Sequence, residues 1–125
     1  MLRIFDRVCV ALLALFSAGH GIVGTLMSSP LDQQITLWSF SGSIAAWLIA
    51  ALNWMRGSRQ GDQVLAFWAL VGALSWIGLM IWLMPIADMW ADIRPWLFIA
   101  VCAVLAFNSL RELTASSPNR PSERL

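Results

Sequence analysis

Apolar residues dominate four long stretches of this chain, and charged residues fall almost wholly between them. The stretches run over residues 8–27, 37–54, 64–84 and 95–110. Each is near the roughly 20 residues that cross about 30 Å of hydrocarbon as a helix. Lipid offers no partner for a backbone N–H or C=O, so spanning segments of this length are predicted to be α-helices. The breaks between them carry turn chemistry. "SSPLDQQ" (28–34) sets Pro30 among polar residues, and "RGSRQGDQ" (56–63) flanks charge with glycines. "PIADMWADIRP" (85–95) is bounded by prolines, and Pro95 suits the first turn of the next helix, where its missing N–H costs nothing. Within that linker, Asp88 and Asp92 at i, i+4 predict one short interfacial helical turn with Met89 and Trp90 dipping into lipid. The expected fold class is all-α: a polytopic membrane protein built as an antiparallel four-helix transmembrane bundle. It forms one domain over 1–113. The polar Pro/Ser tail, 114–125, has no apolar face and is expected to be disordered.

Composition sharpens this reading. Of the 125 residues, 59% are hydrophobic and 12% charged, against about 45–50% and about 25% in a soluble domain. The net charge of +1 supplies no field that would draw nucleic acid. All eight basic residues are arginine. Arg3, Arg7, Arg56, Arg59, Arg111, Arg120 and Arg124 fall on the side of the two termini, and only Arg94 falls on the other. By the positive-inside rule this asymmetry predicts an N-in/C-in protein of the bacterial inner membrane, with both termini cytoplasmic. The start, "MLRIFDRVCVALLALFSAG", also has the basic end and apolar core of a cleavable signal peptide. The apolar run continues through "GIVGTLM" to spanning length, which favours a retained helix.

There are eight tryptophans and no tyrosine. Trp38, Trp54, Trp82, Trp90 and Trp96 fall near span ends, where an indole sits in lipid with its N–H at the headgroups. Trp47 and Trp76 fall near the midplane and are predicted to face protein, because a buried indole N–H needs an acceptor.

The candidate chemistry is sparse. Cys9 and Cys102 lie in apolar runs and read as small buried hydrophobes. With one histidine and no CxxC, a zinc site or a bis-histidine haem site within one chain is excluded, and no catalytic or metal-ligating residue is predicted. No carboxylate falls inside the four apolar stretches, which counts against a proton-coupled transporter. Asn53 and Asn108 read as helix caps or headgroup contacts. That leaves "SAGHGIVGT" (17–25). Ser17, Gly21 and Thr25 recur at i, i+4, i+8, a small-residue stripe that lets a second helix approach, and Gly24 adjoins His20 on the next face. Gly42 and Gly72 open room at the same depth on spans two and three. These are the expected packing positions. Three helices closing at that level would bring Ser39, Ser43, Trp47, Ser75 and Trp76 near His20 as a candidate ligand-binding cluster. An imidazole among hydroxyls and indoles either fixes helix packing or serves a quinone carbonyl, a proton relay, or a haem shared with another subunit.

"GHG" (19–21), "WSFSG" (38–42) and "LNW" (52–54), with the size and span count, resemble small four-span bacterial inner-membrane proteins of the DoxX-like superfamily. Some DoxX-like proteins are linked to respiratory quinone or thiol chemistry, so the resemblance implies a quinone-facing role for His20; it carries over no catalytic residue. The leading expectation is a non-enzymatic accessory or assembly partner of a larger membrane protein, or a homo-oligomer. The alternatives are a quinone- or haem-associated redox component using His20, and a holin-like pore former. Against the last, the spans lack the strongly polar face that lines an aqueous pore.

Overall fold

A computed structural model of the chain describes residues 2–27 and 33–115. Four helices follow one another: α1 (Leu2–Met27), α2 (Gln33–Ser58), α3 (Gln63–Ile86) and α4 (Ile93–Thr114), with no strand among the described residues. Each is long and apolar enough to cross a bilayer, which makes this a multi-pass membrane architecture. The break at 28–32 and the tail beyond Ala115 lie outside the described residues.

The helices outrun the apolar stretches. α1 starts at Leu2 rather than at residue 8, which brings Asp6 inside it. The expectation that no span carries a carboxylate is therefore corrected. Neighbouring helices run in opposite directions. Asp6 meets Arg56, Ala14 meets Trp47 and Ser17 meets Ser43, so the partner number falls as the α1 number rises. In the same way Asp6 meets Asn108 while Phe16 meets Phe98. α1 packs chiefly on α2 and α3 chiefly on α4, which gives two helical hairpins laid side by side.

Periodicity decides what faces the axis. On α3, Ala66, Ala69, Ala73 and Trp76 are buried, recurring at three- and four-residue steps as one helical face does. Leu13, Ala46, Ile49, Cys102, Leu105 and Ala106 join Ala73 and Trp76 in one apolar cluster. Small side chains predominate on the contact faces. Close backbone approach is the means of helix association in lipid, where burial of apolar surface supplies no driving force. Outward-facing Leu15, Ile22, Ile44, Leu48, Leu74 and Ile81 remain exposed, as lipid contact demands.

The ends are fixed by caps. Asp62 accepts the Leu65 N–H at 3.0 Å and starts α3. Asp92 caps α4 by accepting the Arg94 N–H at 2.9 Å, and Pro95 falls in the first turn as predicted. Hydrogen bonds from the Arg94 side chain, and then from its backbone N–H, hold the Asp92 carboxyl below the usual carboxylate range. The α3–α4 linker is not the helical turn expected from Asp88 and Asp92. Instead Asp88 adopts φ 49°, and the Met89 N–H donates back to the Met84 carbonyl at 2.9 Å. That left-handed residue with its 6→1 bond is a Schellman-type stop. It turns the chain at once and leaves no room for another helical turn.

A buried charge network and a serine pair as the candidate functional site

The bundle end that holds the start of α1, the α2–α3 turn and the end of α4 contains the most polar interior of the molecule. Arg56 is 4% exposed and Asp6 7%. One terminal guanidinium nitrogen of Arg56 donates to both Asp6 carboxylate oxygens, at 2.6 and 2.7 Å. The other donates to Glu112 Oε2 at 3.1 Å, and Nε donates to Asn53 Oδ1 at 3.4 Å. The remaining lone pairs and protons are engaged too. Asn108 donates to Asp6 at 3.0 Å, the Gly61 N–H donates to Glu112 Oε1 at 2.8 Å, and Asn53 donates to the Ile49 carbonyl at 3.0 Å. Ser109 donates to Leu105 O at 2.9 Å and to Asn53 Oδ1 at 3.4 Å. Three helices and a turn are thus tied through one guanidinium. A fully hydrogen-bonded geometry of this kind is the condition under which a buried charge pair is tolerable. Glycine assists: a Cβ on Gly57 would come within 3.1 Å of Asp6 Oδ2.

Sequence reasoning missed this site. Arg56 reads as a topology marker, and Asn53 and Asn108 read as caps or headgroup contacts. In the structure all three are interhelical partners, and Asn53 is fully buried. A signal was present in the spacing. Asp6 continues the face of Cys9, Val10, Leu13 and Ser17, and Asn53 continues that of Ala46, Ile49 and Ala50. Glu112 likewise sits one turn beyond the buried Leu105 and Ser109 face. Extending the core stripe past the last apolar residue would have placed all of them inside.

The stripe of small residues behaves as the spacing predicts. Ser17 Oγ donates to the Ser43 carbonyl and Ser43 Oγ to the Ser17 carbonyl, both at 2.8 Å, so two helices exchange bonds at one contact. Ser43 Oγ also reaches the Ser39 carbonyl at 2.9 Å. A Cβ on Gly21 would meet Ser43 Oγ at 2.7 Å, and one on Gly24 would meet Ser39 Oγ at 2.5 Å. Thr25 sits on the same helix, but its side chain lies outside the described residues. Gly42 gives ordinary contact to Trp76 at 3.7 Å, and Gly72 meets Ile49 at 3.3 Å.

His20 is not enclosed by these groups. It is one residue before Gly21 and so lies about 100° around the helix from the α2-facing stripe. Its exposed ring meets the Phe98 ring edge of α4, 6.5 Å between centroids. Ser75 is exposed as well. Trp47 is half exposed rather than interior, yet its indole N–H reaches the Ala14 carbonyl at 3.0 Å. Trp76 is buried against Phe98, and its indole N–H has no acceptor. The expected six-residue cluster therefore separates into a serine contact between α1 and α2, and an aromatic group in which Phe98 touches Phe16, His20 and Trp76. Cys9 and Cys102 are free and buried. No family model, curated protein or solved structure matches the chain.

Proposed function

We propose that the chain is a small non-enzymatic protein of the bacterial inner membrane, with both termini cytoplasmic, serving as an accessory or assembly partner of a larger membrane protein. One observation carries this reading. The buried polar groups at the two contacts, from Asp6, Arg56 and Asn53 to Ser17 and Ser43, bond to one another across helices. Their chemistry goes into holding a fixed frame, not into a reacting substrate. Such a frame presents a rigid apolar exterior that lipid or a neighbouring protein can cover. The arginine asymmetry supports the orientation, and the DoxX-like resemblance is taken as a likeness of architecture. Cross-linking in native membranes should capture a larger neighbour, and reporter fusions at the two ends should both register the cytoplasm. A chain found solitary, or termini on opposite sides, would overturn the proposal.

A second reading, a quinone-associated redox component, is favoured by the unpartnered Trp76 N–H beside the Phe98–His20 edge contact. It expects quinone to co-purify with the protein and to be lost in Trp76→Phe and His20→Ala. A quinone-free preparation would dismiss it.

A further inference from the structure

At the Arg56 end, a cleft of about 360 Å³ opens to the outside. Its charged lining is three arginines, Arg7, Arg56 and Arg111, against two carboxylates, Asp6 and Glu112. Both carboxylates are committed to Arg56. Arg7 and Arg111 are exposed, and among the described residues neither forms an ion pair. Each guanidinium instead lies over an aromatic ring, Arg7 over Trp54 at 5.3 Å and Arg111 over Phe107 at 5.9 Å. Stacking of this kind orients the planar fork while leaving its N–H edges available to an oxyanion.

A second depression, of about 390 Å³, adjoins the first. It lies between α1 and α4, lined by Phe5, Ala103, Val104 and Phe107, and is almost wholly apolar. The two share Asn108, and Phe107 carries Arg111 above it. A cationic recess at a helix end that continues into an apolar groove along the bundle matches a molecule with an anionic head and a hydrocarbon tail. Free phosphate would use only the first part.

We infer that this end of the bundle is a binding site for an anionic phospholipid, its phosphate held between Arg7 and Arg111 and one acyl chain lying along the Phe5–Phe107 groove. The site goes beyond the accessory role and does not depend on a protein partner. A juxtamembrane arginine is worth about fivefold in affinity for an anionic lipid surface. The test uses the full chain reconstituted in vesicles of equal parts phosphatidylglycerol and phosphatidylcholine, re-extracted, with retained lipid read by native mass spectrometry. Wild type should retain phosphatidylglycerol in preference. Arg7→Gln and Arg111→Gln should each lower that retention about fivefold and leave phosphatidylcholine unchanged. Ala103→Trp, which fills the groove and spares both arginines, should also lower it. Circular dichroism reports whether each variant keeps its helices, and the wild-type preference stands as a test even if one does not. Equal retention of the two lipids by wild type overturns the inference. So does displacement of phosphatidylglycerol by inorganic phosphate while Ala103→Trp has no effect, since that outcome assigns the cleft to free phosphate.

Discussion

Replacing Arg56 by methionine keeps a long apolar stem and deletes the guanidinium at the centre of the charge network. Four hydrogen bonds vanish: two to Asp6, one to Glu112 and one to Asn53. Asp6, only 7% exposed, is left with Asn108 alone, and Glu112 with the Gly61 N–H. Losing one member of a buried pair typically costs about 3–5 kcal/mol, most of it the penalty of the charge left behind. Asp6 lies near a helix end where water is close, so the lower figure, about 3 kcal/mol, is expected for Arg56→Met. Asp6→Asn in the same background removes the orphaned charge. The double variant should therefore be more stable than the sum of the singles predicts, by about 2 kcal/mol. Dodecyl sulfate titration of the protein in mixed micelles, followed by circular dichroism, measures all four corners of the cycle. Strictly additive losses, or an Arg56→Met variant within about 0.5 kcal/mol of wild type, would refute the claim that this pair holds the helices together.

Further predictions follow from particular contacts. Gly21→Val drives a Cβ to 2.7 Å from Ser43 Oγ and should cost about 2 kcal/mol in the same titration. Gly19→Val, with nothing within 4 Å, should be near neutral. Ser43→Ala deletes one interhelical bond and should cost only about 0.6 kcal/mol. Asp88→Gly relieves a left-handed residue and should raise stability by about 0.5 kcal/mol, read as a higher melting temperature. The depressed Asp92 carboxyl contributes stability that is present above the unfolded value of about 3.9 and is lost as pH falls through the lower folded value. A melting series from neutral to acid should show that loss, and Asp92→Asn should abolish it.

The four helices, their antiparallel order and the serine–glycine stripe were legible because each follows from a short-range rule: apolar length, turn residues, and small side chains four apart. The Arg56 network was not. Hydropathy marks where a span stops being apolar, whereas burial depends on which face a residue shares, and Asp6 shares its face with Cys9 and Leu13. His20 failed for the complementary reason. Its depth follows from sequence, but the side on which it emerges is set by how α1 rolls against α2, and Gly21 and Gly24 take that contact. The linker failed because Asp88 takes a backbone conformation that residue type scarcely favours.

The position of Asp6 and Arg56 on the first two helices bears on how the protein is made. Ribosomes deliver α1 and α2 before the rest, so the guanidinium can meet its first carboxylate while the nascent chain still lacks α4. Glu112 and Asn108 arrive last. Their bonds then act as a latch, fastened only after synthesis of the second hairpin is complete.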